Sequence, residues 1–347
     1  MKQIDIFPRT LHFRQPAGTS RGVYLTRRIH LLRLSDSDVP SVCGWGECAP
    51  LPDLSCDARP DYDKVLREAC RRAEREGLTP ALCDDLRTLP SVLFGLETAF
   101  AQWERGGDKA LFDTPFARGE VGIPINGLVW MGSFDEMMQR LTTKLDAGFR
   151  CVKLKIGAID FSDELSLIRA VRRRFSAEQV ELRLDANGAF PPDRATHYLE
   201  RLAPYHIHSI EQPIRQHQWQ HMAQLCRQSP IPIALDEELI GVSSRQQKAD
   251  LLDEIRPHYI VLKPSLHGAM SGCDEWISLA RDRNIGCWIT SALESNVGLN
   301  AIAHYTARTF GPHITFPQGL GTGSLFTDNV PMPIYVKEDR LWYSKIS

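Results

Sequence analysis

The chain has 347 residues, with 41 Lys and Arg against 43 Asp and Glu and a net charge of −2. The two signs are interspersed, and this balance excludes an extended basic surface for nucleic acid or anionic lipid. The length exceeds one average domain and is ample for a large core.

The Arg-rich runs RRAERE and RAVRRRF fall in helical patterns and read as solvated faces. No stretch is long and apolar enough to span a bilayer, and the start, MKQIDIFPRTLHF, lacks the apolar run of a signal peptide. The 9 cysteines are scattered, without C-x-x-C or Cys/His metal spacing. The expectation is a soluble, reduced, cytoplasmic protein with no nucleic-acid or membrane partner. Its oligomeric state stays open.

Up to about residue 50 the chain alternates apolar and polar. IDIFPRTLHFRQ, RGVYLTRRIHLLRL and SVCGWGECAP predict three antiparallel strands. PAGTSRG, residues 16–22, lies between the first two as a hairpin loop or as a mobile flap. Two helices follow, at 61–76 ending at Gly77 and at 89–105 with Pro90 in its first turn. Strands and then helices suggest an α+β domain over 1–120.

From VGIPINGLVW onward, short apolar strands alternate with helical patterns. Eight strands are predicted near 123–128, 151–156, 181–186, 207–211, 231–236, 259–263, 286–291 and 313–318. Their spacing of about 25–30 residues is that of a βαβ unit. Seven helical segments separate them, and the last barrel helix is missing or very short. The predicted fold class is α/β, a (β/α)7β modified TIM barrel over 121–320. The tail, 321–347, carries GLGTGSLFTDN and the hairpin pattern PIYVKEDRLWYS, and is expected to return to the capping domain.

Strand after strand ends in a polar residue: Lys155, Asp185, Glu211, Asp236, Lys263 and Ser291. Barrel active sites sit at those C-terminal ends. A charge closing a buried strand must find a partner or serve chemistry. One such charge reads most simply as a salt bridge; five in register are hard to explain as packing.

Asp185, Glu211 and Asp236 close three successive strands. Three hard oxygen donors without Cys or His suit Mg²⁺, with Mn²⁺ able to replace it. Three separate salt bridges are the plainer reading. Lys155 and Lys263 flank the trio and would face each other across it in a closed barrel. Lys153 shares the face of Lys155, and Asn187 that of Asp185 if the strand continues so far. Asp236 and Glu237 are adjacent and should point apart, so one of them belongs to the site; Glu238 returns toward it or caps the next helix.

Like charge and a nearby metal ease deprotonation of a lysine, which lets it act as a base at neutral pH. A metal holding a substrate carboxylate would stabilise the dianion left when the α-carbon loses its proton. The parts suit proton abstraction beside the carboxylate of a small molecule. No Ser/His/Asp set, G-x-S-x-G or P-loop is in evidence. Two other classes remain. A Schiff-base lysine would need no carboxylate trio. A non-catalytic barrel would bear the cost of buried charges without a role.

With Lys153-x-Lys155, the opposing Lys263, the three carboxylates and the early GWGECAP in place, the chain resembles the enolase superfamily, whose sites pair a Lys or His base with Mg²⁺. Within it, the chain is similar to the muconate-lactonizing-enzyme subgroup. GTSRG at 18–22, SALES at 291–295 and GLGTGSLF at 319–326 look most like the o-succinylbenzoate synthase family. The Asp-x-Asp that dipeptide epimerases carry after the last strand is replaced here by Gly-Leu-Gly-Thr-Gly.

The resemblance implies a capping domain built from both ends of the chain. It makes Lys155 the general base, Lys263 the opposite-face lysine, Lys153 their neighbour, and Asp185, Glu211 and Asp236 the metal ligands. Asn187, Ser291, Gly319, Ser20 and Arg21 fall at substrate-side positions. The implied reaction is a Mg²⁺-dependent loss of water from 2-succinyl-6-hydroxy-2,4-cyclohexadiene-1-carboxylate (SHCHC), giving o-succinylbenzoate for menaquinone synthesis. Racemisation of an N-acylamino acid is the alternative within the subgroup.

Overall fold

The computed structural model describes residues 1–19, 22–157 and 159–345. β1 (Lys2–Thr19), β2 (Gly22–Asp36) and β3 (Cys43–Cys48) form an antiparallel sheet in that order. β1 and β2 pair from Lys2–Asp36 to His12–Thr26, shift register, and pair again from Ala17–Tyr24 to Thr19–Gly22. The 16–22 stretch, expected as a loop or flap, is thus strand almost to its tip. Gly22, the first residue of β2, has φ 137°, a conformation that a side chain would resist. Ser20 and Arg21 lie outside the described residues.

α1 (Tyr62–Glu76), α2 (Pro80–Asp85) and α3 (Pro90–Glu104) cover this sheet. α1 buries Tyr62, Leu66, Ala69, Cys70 and Ala73, an apolar stripe at helical spacing. α3 is buried nearly all round because it lies between β3 and the barrel. Strand and helix meet backbone to backbone: a Cβ at Gly46 would stand 1.9 Å from the Gly95 carbonyl oxygen, and one at Gly44 1.9 Å from that of Ala99. The Gly-x-Gly of GWGEC is therefore a packing requirement.

The catalytic-side elements follow as β4 (Ile123–Pro124), β5 (Gly127–Val129), α4 (Phe134–Asp146), β6 (Cys151–Lys155), α5 (Phe161–Arg174), β7 (Glu181–Asp185), α6 (Pro192–Leu202) and β8 (Ser209–Glu211). They continue as α7 (Trp219–Gln228), β9 (Ile233–Leu235), α8 (Arg245–Ile255), β10 (Tyr259–Leu262), α9 (Ala269–Arg281), β11 (Gly286–Ile289) and α10 (Asn296–Phe310). The 7 strands from β5 to β11 are parallel neighbours in sequence order. Both faces are covered, so most strand positions are buried, as parallel sheets require.

The eighth expected strand, 313–318, is not a strand in the structure. The ring is closed instead by isolated bridges from Gln318 to Ile125 and from Gly319 to Thr290. Four backbone hydrogen bonds serve them: Gln318 N–H to Pro124 O (2.8 Å), Asn126 N–H to Gln318 O (3.0 Å), Gly319 N–H to Ile289 O (2.8 Å) and Ser291 N–H to Gly319 O (3.2 Å). Pro312 and Pro317 lack the N–H that a ladder needs, so only a short contact forms. The barrel is a (β/α)7 ring with a minimal closing segment, and among the described residues no helix follows it.

The expected first barrel strand is also split. Ile123–Pro124 pairs with the C-terminal hairpin, β12 (Ile334–Lys337) and β13 (Arg340–Tyr343), while Gly127–Val129 pairs with β6. The tail accordingly divides. Its first part lies along β1, where Arg14 N–H donates to Leu325 O (2.8 Å) and Thr327 N–H to His12 O (2.9 Å). Its hairpin joins β4 rather than the capping sheet.

Candidate active site

Lys153 and Lys155 lie on β6 in register with Arg183 and Asp185 on β7, and those two with Ser209 and Glu211 on β8. Strand alternation puts all six on the inner face. Arg183 fills the interior below the rim, its guanidinium 4.7 Å from the Trp288 ring centroid and 4.3 Å from that of Phe316. Asp236 follows β9 and Lys263 follows β10. β7, β8 and β9 lie between the two lysine strands on one side of the ring; β11, the closing segment and β5 lie on the other. Lys155 and Lys263 therefore stand on opposite walls.

The three carboxylates are at most 1% exposed. Lys153 Nζ stands 3.2 Å from Asp185 Oδ2 and 3.0 Å from Glu211 Oε2. Lys155 Nζ donates to Asp185 Oδ2 at 3.0 Å and to Asn187 Oδ1 at 2.7 Å. Lys263 Nζ donates to Asp236 Oδ2. Lys153 stands between Asp185 and Glu211, and among the described residues no three metal-ligating side chains converge on one point.

Glu237 also belongs to the cavity. β9 ends at Leu235, and Glu237–Leu239 form a 3₁₀ turn, so the alternation expected of a strand stops one residue too soon to separate Asp236 from Glu237. Asn187 Nδ2 donates to Glu237 Oε1 at 2.9 Å. Glu238 turns away, accepting from His217 N–H at 2.8 Å and from Gln212 Nε2 at 3.3 Å.

Four buried carboxylates thus meet three ammoniums. Burial would raise the Asp185 pKa, but Lys153, Lys155 and Lys263 hold it well below the usual range. Burial and the neighbouring Asp185 and Asp236 push Glu211 up to about 8 despite Lys153. Burial raises Asp236 and Glu237 as well. Among the described residues, Asp236 Oδ1 and Glu237 Oε2 are buried without a hydrogen-bond partner. Surplus negative charge, unpartnered oxygens and an all-carboxylate donor set fit a hard divalent cation.

The rest of the cavity comes from elsewhere. Ser291 Oγ and Thr322 Oγ1 are 2.7 Å apart, and a Cβ at Gly319 would lie 2.1 Å from Thr290 Oγ1. Asn126, Leu128 and Trp130 line one wall; Tyr24, Leu51 and Leu54 reach over from the capping domain. The 126, 128, 130 alternation was readable in VGIPINGLVW, whereas nothing local marks Tyr24, Leu51 or Leu54. The cap is locked in place by Arg27, which donates to Ala49 O, Pro50 O (2.6 Å), Leu293 O (3.2 Å) and Ala292 O (3.4 Å). Glu47 of GWGEC adds acceptors for Ser295 N–H (2.8 Å) and Gly298 N–H (2.9 Å).

A family model described as enolase C-terminal domain-like matches residues 136–329. The chain is 46% identical to the o-succinylbenzoate synthase of Desulfotalea psychrophila, over 94% of this chain and 95% of that one. It belongs to the o-succinylbenzoate synthase family of the enolase superfamily. The crystal structure of MenC from Desulfotalea psychrophila superposes with a TM-score of 0.85 at 40% identity, covering 98% of this chain and 99% of that one. Likeness to the L-Ala-D/L-Glu epimerase of Bacillus subtilis is more distant, 27% identity over 76% of this chain and 74% of that one. Like other o-succinylbenzoate synthases, this family member is a lyase. Among the described residues it has no helix long and apolar enough to cross a membrane.

Proposed function

We propose that the protein dehydrates SHCHC to o-succinylbenzoate, a step in making menaquinone, with Mg²⁺ as cofactor and Mn²⁺ as a substitute. The observation that carries this reading is the pair of lysines on opposite walls with the carboxylate trio between them, in a chain so similar to a curated o-succinylbenzoate synthase. Asp185, Glu211 and Asp236 are the proposed metal ligands. When bound there, a divalent cation would hold the substrate carboxylate and offset the charge that develops beside it.

Lys155 Nζ takes the α-proton as a free amine. Asn187 Oδ1 and Asp185 Oδ2 aim that nitrogen from below. The ammonium of Lys263, on the other wall, faces the carbanionic side and lowers the cost of the negative charge. Lys153, wedged between Asp185 and Glu211, offsets part of the negative charge on the floor of the site. The proton now on Lys155 then passes to the departing hydroxyl on the same face, so that water leaves, the ring gains its last double bond, and Lys155 is again neutral. Ser291 and Gly319 line the cavity with Tyr24 and Leu51 and are proposed to contact the succinyl arm; Ser20 and Arg21 belong to the same proposal through the resemblance alone.

The test is direct. Purified protein with Mg²⁺ and SHCHC should form o-succinylbenzoate, and chelation should stop it. Absence of product with metal present would sink the reading. The opposed lysines also favour a second activity, 1,1-proton transfer on an N-succinylamino acid, for which deuterium exchange from solvent is the readout. A cytoplasmic location is consistent with 9 free cysteines.

A further inference from the structure

Lys263 is held by a residue that sequence patterning does not mark. In the turn KPSLHG, the Lys263 N–H donates to His267 Nδ1 at 2.9 Å, and the His267 N–H donates back to Lys263 O at 2.9 Å. Both backbone groups of Lys263 therefore bond to His267, the carbonyl sharing its acceptor with Leu266 N–H at 2.8 Å. The imidazole is 2% exposed. Since Nδ1 accepts a hydrogen bond, the ring proton must sit on Nε2. That nitrogen faces Asp236 Oδ1 at 3.9 Å, and neither atom has a hydrogen-bond partner among the described residues. The separation exceeds a hydrogen bond by about an ångström.

We infer that His267 is a positioning residue for both halves of the site. Through Nδ1 it fixes where the strand delivers Lys263, and through Nε2–H it orients the free oxygen of Asp236. One rigid ring thereby couples the position of a metal-ligand candidate to that of the opposite-face ammonium. The inference rests on the proposed roles of Asp236 and Lys263. Outer groups that orient a ligand carboxylate typically change metal affinity or activity about 10–100-fold when removed.

Three measurements on the full-length protein test it. In ¹⁵N-labelled wild-type enzyme, His267 should show the neutral ring with the proton on Nε2, and titration with Mg²⁺ alone should shift the Nε2–H signal. The opposite tautomer, or a signal unmoved by Mg²⁺, overturns the inference. Calorimetry with Mg²⁺ and no substrate forms the second measurement. His267→Phe keeps the ring volume and should raise the Mg²⁺ Kd about 10–100-fold. His267→Asn keeps an acceptor near where Nδ1 stood but is too short to place a donor where Nε2 stood. It should raise the Mg²⁺ Kd about as much, yet retain more of kcat per metal-loaded site than the Phe variant. Wild-type Kd and kcat in His267→Phe would reduce His267 to packing. The third measurement is SHCHC turnover by wild type. Its failure strikes the proposed reaction, while the tautomer and the Mg²⁺ Kd still decide the role of His267.

Discussion

Lys155 and Asn187 are joined by a 2.7 Å hydrogen bond from the ammonium to the amide oxygen. Asn187 sits in the left-handed region, at φ 44°, because it follows the end of β7 and turns back into the cavity. Its amide nitrogen is spoken for by Glu237, which fixes the oxygen toward Lys155. Asn187→Leu keeps the approximate size and removes both bonds. The expected outcome is a fall in kcat of about 10–100-fold with little change in Mg²⁺ Kd, read by steady-state kinetics and calorimetry. An equal loss of metal affinity would show that Asn187 acts on the ligands rather than on the base.

The Glu211 carboxyl pKa is raised by burial and by two like charges. Glu211→Gln removes an anionic donor while preserving shape. Turnover should vanish and Mg²⁺ binding weaken, with the circular dichroism spectrum unchanged. Because crowding of charge destabilises the metal-free site, the melting temperature in chelator should stay level or rise. A large fall in melting temperature would mean that Glu211 stabilises the fold through Lys153.

Away from the site, Glu97 of α3 accepts from Met270 N–H (2.8 Å), Ser271 N–H (3.3 Å) and Ser271 Oγ at the start of α9. Burial raises its pKa from 4.5 to about 7. Between those two values the folded state holds more protons than the unfolded one, so stability falls as pH rises through that window. The loss should be of order 2 kcal/mol at most, since part of the side chain still meets solvent. Wild type should therefore melt lower at pH 8 than at pH 5 by more than Glu97→Gln does. Parallel pH profiles for the two proteins would remove Glu97 from the account.

Much of the site was legible because strands obey a period of two. Lys153, Lys155, Asp185 and Glu211 lie within regular strand, and alternation placed them on one face. Legibility ended where the strands did. Asp236 follows the end of β9 and Glu237 opens a 3₁₀ turn, so strand alternation no longer governs which way either side chain points. The closing strand failed for a different reason: its apolar pattern was read without weighing the two prolines that deny it a ladder. Tyr24, Leu51 and Leu54 reach the cavity through tertiary packing, on Leu266 and Ala292, and through a cap anchored by Arg27 and Glu47, contacts more than 20 residues distant in sequence. No periodicity carries that information. His267 likewise looks like any helix-start histidine until its ring is seen against Lys263.

Packing at GWGEC gives a stability prediction independent of chemistry. Gly46→Ala would drive a methyl group against the Gly95 carbonyl. Backbone cannot yield as a side-chain tip can, so the cost should reach the upper part of the usual range for overpacking, about 3 kcal/mol. Chemical denaturation would measure it. A variant within about 0.5 kcal/mol of wild type would show that β3 and α3 can part without loss.

The roles of the two lysines can be separated by charge-preserving substitution. Lys155→Arg keeps a cation beside Asp185 and Asn187, but a guanidinium stays protonated and cannot accept the α-proton. Turnover of SHCHC should fall to background while Mg²⁺ still binds. Lys263→Arg also keeps its charge, now on a planar fork in place of a compact ammonium. Its partner Asp236 accepts a fork readily. A measurable remnant of dehydration should survive, whereas Lys263→Ala should lose about 10²–10³-fold more, the usual effect of removing one preorganised charge. On an N-succinylamino acid the pattern differs. There Lys263 must itself move a proton, so Lys263→Arg should stop racemisation while Lys155 still exchanges the α-proton of one enantiomer. Near-normal dehydration by Lys155→Arg alongside a dead Lys263→Arg would place the base on β10's side of the ring and reverse the assignment.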